Sequence, residues 1–261
     1  MSIGFPNESA EHRAAREELL QEEIALRRAM EAVAAARRKL PPGGLIREDY
    51  VFDGIGADGA VIQVKLSELF APGKDSLVIY NFMFPRMPQD KRPGPTEGLF
   101  KVLKLEDAPC PSCSAFLDSL DGTAKHLEAG GLNYAVIAKA PIERIAAFAK
   151  DRGWRNLRLL SAARNSFKHD YLCETADGEQ LPMTTVFHRD GGEIRHFWSS
   201  EMIFAGGDPG QDPRHNGTLE QIWNIFDLTP DGRPTSWHEQ LSYHTHSAHA
   251  QHPGSIQGFP I

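Results

Sequence analysis

The chain has 261 residues, with 28 Lys and Arg against 35 Asp and Glu and a formal net charge of -7; this balance supplies no basic surface for phosphate, so nucleic acid is not an expected partner. At 41% hydrophobic and 24% charged, the composition is that of a soluble globular protein with a sizeable core. No apolar run reaches the roughly 18 residues that span a bilayer, and Met1–Arg16 is polar without an apolar leader stretch, so no membrane partner is expected and a cytoplasmic location is the default.

The spacing predicts one long helix over Ser9–Lys39. Leu19, Leu20, Ile24, Met30 and Val33 recur near the helical period, and Pro41-Pro42-Gly43-Gly44 stops it. At 1.5 Å per residue it would run roughly 45 Å. A helix that long lies across the domain or packs on a second copy, which makes a homodimer through it the expected assembly; a frayed, solvated arm is the alternative. Arg37-Arg38-Lys39 at its end suits a helix C-terminus, where cations are favoured.

Tyr50–Phe70 reads as a strand, a turn, a second strand containing Val61-Ile62-Gln63-Val64, and a helical turn at Leu66–Leu69. Gly54-Ile55-Gly56-Ala57-Asp58-Gly59 matches a dinucleotide string. A strand follows it where a helix would be required, so the glycines are read as a tight turn. Leu77–Phe84 is a nearly continuous apolar run, fitting a central strand buried on both faces. Pro85–Pro109 is rich in proline and charge and reads as a loop.

Ser114–Ala129 reads as a helix closed by Gly130-Gly131, Tyr134–Ala138 as a strand, and Pro141–Asp151 as a helix ending at Gly153. Leu157–Leu160 is a third strand, followed by an irregular stretch to Gln180. Thr184–His188 and Ile194–Trp198 flank Arg189-Asp190-Gly191-Gly192 as a hairpin. Leu219–Phe226 reads as a short helix. This order predicts an α/β, thioredoxin-like three-layer fold: a central mixed sheet flanked by helices, with a long N-terminal helix and an irregular C-terminal tail. The divisions expected are residues 1–44 for the helical extension, 45–229 for the thioredoxin-like domain and 230–261 for the tail.

Three cysteines are too few for a disulfide scaffold, and in a reducing compartment a close pair points to catalysis or metal binding. Cys110-Pro111-Ser112-Cys113 stands at the start of the 114–129 helix. Two cysteines one turn apart satisfy disulfide geometry, and the free N–H groups and dipole of a helix start favour a thiolate. Pro111 suits the first helical position. Cys110 is then the more exposed, lower-pKa nucleophile and Cys113 the resolving thiol of a thiol–disulfide oxidoreductase, acting on a disulfide-containing protein or a small-molecule thiol substrate with no bound cofactor. Three other readings stay open: zinc held with a histidine, an inert buried pair, and a redox-inactive binding or oligomerisation module.

A thioredoxin-like site usually carries a cis-proline opposite the dithiol. Leu181-Pro182, just before Met183–His188, occupies that place, so Pro182 is expected to be cis and to join the site; a proline that merely opens an edge strand is the alternative. Cys173 reads as a spectator. His238, His244, His246, His249 and His252 crowd the end of the chain without a carboxylate or cysteine at tight ligand spacing, and read as a solvated tail rather than a metal site.

Several segments together resemble a bacterial family of uncharacterised thioredoxin-like proteins predicted to be dithiol–disulfide oxidoreductases. They are Arg37-Arg38-Lys39-Leu40-Pro41, Asp49-Tyr50-Val51-Phe52, Leu66-Ser67-Glu68-Leu69-Phe70, Tyr80-Asn81-Phe82-Met83-Phe84, Cys110-Pro111-Ser112-Cys113-Ser114, Val186-Phe187, and Asp227-Leu228-Thr229-Pro230-Asp231-Gly232-Arg233. The resemblance covers nearly the whole chain and implies a thioredoxin-like fold with the two-cysteine role for Cys110 and Cys113. The dipeptide between the cysteines is Pro-Ser, not the Gly-Pro of thioredoxin itself, and no Trp precedes Cys110.

Overall fold

The computed structural model describes residues 3–209 and 214–243. Helix α1 (Ala10–Arg38) starts where Ser9 accepts the His12 N–H, and none of its residues is buried. Strands β1 (Val51–Ile55) and β2 (Val61–Lys65) pair as the expected hairpin. Its turn closes by Gly56 N–H to the Ala60 carbonyl (2.8 Å), with Gly59 at φ 81°. Strand β3 (Ser76–Asn81) leads through an irregular segment with two short 3-10 turns into α2 (Pro111–Ala129). Strand β4 (Asn133–Ala138), helix α3 (Ile142–Arg152), strand β5 (Leu159–Ser161) and a four-residue helix α4 (Phe167–Asp170) follow. The hairpin β6 (Thr184–Asp190) and β7 (Glu193–Ser199) and helix α5 (Gln221–Phe226) complete the order.

The seven strands form one sheet in the order β2-β1-β5-β4-β3-β6-β7. β3, β4 and β5 run parallel, joined by α2 and α3; β6 and β7 extend the sheet antiparallel on one side, and the β1–β2 hairpin on the other. This is the thioredoxin-like mixed α/β arrangement. Alternation along the central strands divides the core in two. Tyr80, Val136 and Ala138 face α2 and α3 with Phe116, Leu117, Ile145 and Phe148, whereas Leu77, Ile79, Ala135 and Ile137 face Tyr50, Phe52, Leu69 and Phe167. The second face is thus covered by short turns and α4 rather than by a long helix.

The two edges of the sheet differ. Along β7, the segment after α1 is laid down as a partial eighth strand: Ile46 N–H donates to the Ile194 carbonyl and His196 N–H to the Gly44 carbonyl. The approach leaves no room for a side chain at Gly43, where a Cβ would stand 1.7 Å from the His196 oxygen. Arg37 stacks on Trp198 at 4.6 Å, so the cationic helix end serves packing. Among the described residues the β2 edge carries no such cover, and Val61 and Ile62 are exposed there.

Two expectations are corrected at the C-terminal side. The stretch between β5 and Gln180 contains α4, whose Phe167 is fully buried in an aromatic cluster with Tyr50, Phe52 and Phe187. The tail is not solvated throughout: within residues 230–243 Glu239 and Leu241 are buried, and Arg152 donates to the Leu241 carbonyl at 2.7 Å. Of the tail histidines, His238 is exposed, while His244, His246, His249 and His252 lie outside the described residues. Among the described residues no helix is long and apolar enough to cross a membrane.

Candidate active site

Cys110 is the N-cap of α2 and Pro111 its first helical residue, as the spacing predicts. Three bonds fix this corner. Cys110 N–H donates to the Met83 carbonyl (2.9 Å), tying the helix start to the end of the central strand. Ser114 N–H and Ser114 Oγ both donate to the Cys110 carbonyl, at 3.0 and 2.8 Å. Both thiols are free and hydrogen-bonded to each other.

The two sulfurs are electrostatically unequal. The Cys113 thiol donates to Cys110, the Cys113 backbone N–H faces the same sulfur, and Arg92 adds positive charge; together these outweigh burial and lower Cys110 to about 7. Arg92 Nη2 stands 3.7 Å from the Cys110 sulfur. Burial and the neighbouring Cys110 charge push Cys113 well above the ordinary thiol value, against the Tyr80 hydroxyl and Met83 N–H that donate to it. Burial likewise raises the Tyr80 hydroxyl.

Exposure does not distinguish the pair as expected: Cys110 and Cys113 are each 2% exposed. The reason is a cover that short-range patterns do not show. Arg92, in the loop before α2, is held by Asp90 through Nε (3.0 Å) and Nη2 (2.8 Å). Its Nη1 donates to Ser112 Oγ (2.7 Å), and Ser112 donates to Glu239 Oε2 (3.0 Å). The loop over residues 85–109 and the segment around Glu239 are therefore latched to each other over the middle of the Cys-Pro-Ser-Cys turn. Arg86, also buried, stiffens the loop from beneath by donating to the Pro109 carbonyl (3.1 Å) and the Arg92 carbonyl (2.6 Å).

Beside Cys113 lies a crevice of about 80 Å³, walled by Tyr80, Met83, Pro182, His215 and Trp223. Pro182 thus reaches the neighbourhood of the dithiol, but its peptide bond is trans; among the described residues the cis bond is Phe84-Pro85. Leu181 N–H donates to the Cys173 carbonyl (2.9 Å), and Asn81 N–H to the Met183 carbonyl (2.8 Å). The chain enters β6 extended between these bonds, with no turn at Pro182 for a cis bond to make. Cys173 is buried away from the crevice, its thiol donating to the Tyr171 carbonyl at 3.2 Å, and burial raises it to about 11.

Arg92, Asp90, Glu239 and Tyr80 are absent from the sequence-level site. Tyr80 reads as one apolar residue in a strand, and Glu239 lies 127 residues from the Ser112 hydroxyl it accepts from. Only the excess of charge in the 85–109 loop hints at a partner for a thiolate. Among the described residues, no group of three or more His, Cys, Asp and Glu side chains is arranged to hold a metal ion.

Three comparisons bear on these observations. The family model described as "Bacterial protein of unknown function (DUF899)" matches residues 4–249. Among solved structures, a mitochondrial 2-Cys peroxiredoxin from Plasmodium falciparum is similar at 14% identity and TM-score 0.41, covering 75% of this chain and 99% of the other. The peroxidoxin BcpB from Mycobacterium tuberculosis is similar at 15% identity and TM-score 0.40, covering 69% of this chain and 94% of its own. A hypothetical protein from Sinorhizobium meliloti 1021 is similar at 17% identity and TM-score 0.38, with 68% and 80% covered. No curated protein matches the chain.

Proposed function

This chain belongs to DUF899, a bacterial family of proteins of unknown function, and from that starting point we propose that it is a thiol–disulfide oxidoreductase with Cys110 as nucleophile and Cys113 as resolving thiol. The observation that carries the reading is the asymmetric pair at the start of α2. With Cys110 lowered to about 7, roughly half of it is thiolate at neutral pH, while Cys113 keeps its proton and donates to it.

The chemistry follows in two balanced steps. The Cys110 thiolate attacks one sulfur of a substrate disulfide; a bond forms between those sulfurs, the substrate bond breaks, and the departing sulfur leaves with the bonding pair and takes a proton. Cys113, deprotonated, then attacks Cys110. The Cys110–Cys113 bond forms, and the second substrate sulfur leaves with its electron pair and takes up the proton that Cys113 gave up. Run backwards, the same steps introduce a disulfide. Pro182, as a wall of the crevice, would border an incoming group, and the Arg92–Ser112–Glu239 latch must part before a bulky disulfide reaches Cys110. The substrate is a protein disulfide or a small-molecule thiol or disulfide; no cofactor is required, and the proposed location is the cytoplasm.

The test is the redox equilibrium of the pair against glutathione, read by counting free thiols at each ratio of reduced to oxidised glutathione. A single two-electron transition that vanishes in both Cys110→Ser and Cys113→Ser supports the proposal, and Cys113→Ser should accumulate a mixed disulfide on Cys110. A pair that stays dithiol at every glutathione ratio overturns it.

A further inference from the structure

Lys168 is a charged side chain with no exposure at all. Its ammonium has three protons to donate and, among the described residues, makes one hydrogen bond, to the Phe82 carbonyl at 3.2 Å. The acid acting on it, Glu174, is already engaged by Lys139 and by Gln180 (3.4 Å). Cys173, Cys113, Glu174 and Lys139 are the ionisable groups that face Lys168, and burial is the main cause that lowers it to about 8. A buried cation without a contacting carboxylate is costly, and an apolar residue of similar length would ordinarily serve the core at least as well.

What lies on the far side of its one hydrogen bond is the dithiol. The Phe82 carbonyl and the Met83 N–H are two ends of a single peptide unit. Lys168 donates to the carbonyl end; the N–H end donates to the Cys113 sulfur. A cation on the oxygen polarises the amide and strengthens what its N–H gives, since hydrogen bonds in a chain reinforce one another at low dielectric. We propose that Lys168 is a positioning residue for the resolving thiol, its charge carried across the Phe82–Met83 peptide to favour the Cys113 thiolate.

This rests on the oxidoreductase reading and supplies what that reading lacks. In the mixed disulfide the Cys110 sulfur is bonded to substrate and no longer accepts the Cys113 proton as a thiolate would. Cys113 must then ionise in a buried setting, with the Tyr80 hydroxyl and the Met83 N–H as its contacting donors. Lys168 adds the full positive charge that neither provides. Cys173 also faces Lys168, whose charge favours its thiolate, but burial outweighs that charge and raises it to about 11, with its proton held on the Tyr171 carbonyl.

The experiment uses the full-length reduced protein and Ellman's reagent in stopped flow. The first thionitrobenzoate released reports attack by Cys110, and the second reports resolution by Cys113. Lys168→Met removes charge and hydrogen bond; Lys168→Gln removes the charge and keeps a donor for the Phe82 carbonyl. Both should slow the second release about tenfold at neutral pH, the effect of one unit in thiol pKa, and move its pH midpoint upward, with the first release unchanged. Lys168→Met should melt no lower than wild type, and Cys173→Ser should resolve normally.

Wild-type resolution in the Lys168 variants, equal slowing of both releases, equal slowing by Cys173→Ser, or failure of both Lys168 variants to fold would each overturn the inference, the last by making Lys168 a residue of the fold. The underlying reading fails differently: Cys113→Ser would then still give the second release.

Discussion

Cys110 is acidic because of what donates to it, and the ranking of donors makes a prediction. The Cys113 thiol is the largest stabilising influence on the Cys110 thiolate, ahead of the helix-start N–H and of Arg92. Cys113→Ala should therefore move the Cys110 titration up towards the ordinary thiol range, whereas Arg92→Met should move it less. Thiolate absorbance or the pH profile of alkylation measures both. The sign is fixed by linkage: a thiol lowered in the folded state binds fewer protons than in the unfolded chain between about 7 and the ordinary value of 9.0. Its contribution to stability is present above that window and is lost as pH falls through it. Removing the donor shrinks the contribution, so the gap in melting temperature between wild type and Cys113→Ala should widen from pH 6 to pH 8, below the range in which the Cys113 thiol, also lost in the variant, ionises in the unfolded chain.

At the scale of elements, two junctions decide the site. The first is the latch between the 85–109 loop and the segment carrying Glu239. Glu239→Ala leaves Ser112 and Arg92 without their shared acceptor, and should speed alkylation of Cys110 several-fold at fixed pH with little change in its titration midpoint. An unchanged rate would show that other contacts keep the cover down. The second is α4, a four-residue helix held by Phe167 in the aromatic cluster and by the Tyr50 hydroxyl on Asp170 (2.8 Å). Phe167→Ala should cost about 3–5 kcal/mol, as loss of a buried aromatic does, read from the denaturant midpoint. These junctions also mark where sequence reasoning ran out. The Cys110 cap, Pro111 and the Gly153 stop (φ 80°) were legible because their cause lies within a few residues. α4 was not, because Phe167 stands among Lys168, His169 and Asp170, whose character suggests a surface loop. Arg92 and Glu239 meet across 147 positions of chain, and no local pattern announces that. Pro182 was placed near the dithiol on topology, but the geometry of its peptide bond depends on partners at Cys173 and Asn81 that only the folded chain supplies.

Across the whole molecule, α1 stands apart: 29 residues, none buried, with Leu19, Leu20, Leu26, Met30 and Val33 exposed. The proposed assembly is a homodimer through this helix. Light scattering should find a dimer for the full chain and a monomer for residues 40–261, with nearly the same melting temperature, because removing α1 uncovers almost no core. A monomer in both cases would leave α1 as a solvated arm. Where such a truncation stops matters more than how much it removes. Cutting at residue 40 keeps Gly43–Ile46 lying along β7; cutting at residue 47 strips it and leaves the sheet with unsatisfied backbone donors and acceptors at both ends. A covered margin ends any run of edge-to-edge pairings, whereas two open margins leave nothing to halt its growth. Seven residues of unremarkable linker would then separate a well-behaved protein from one that stacks into aggregates.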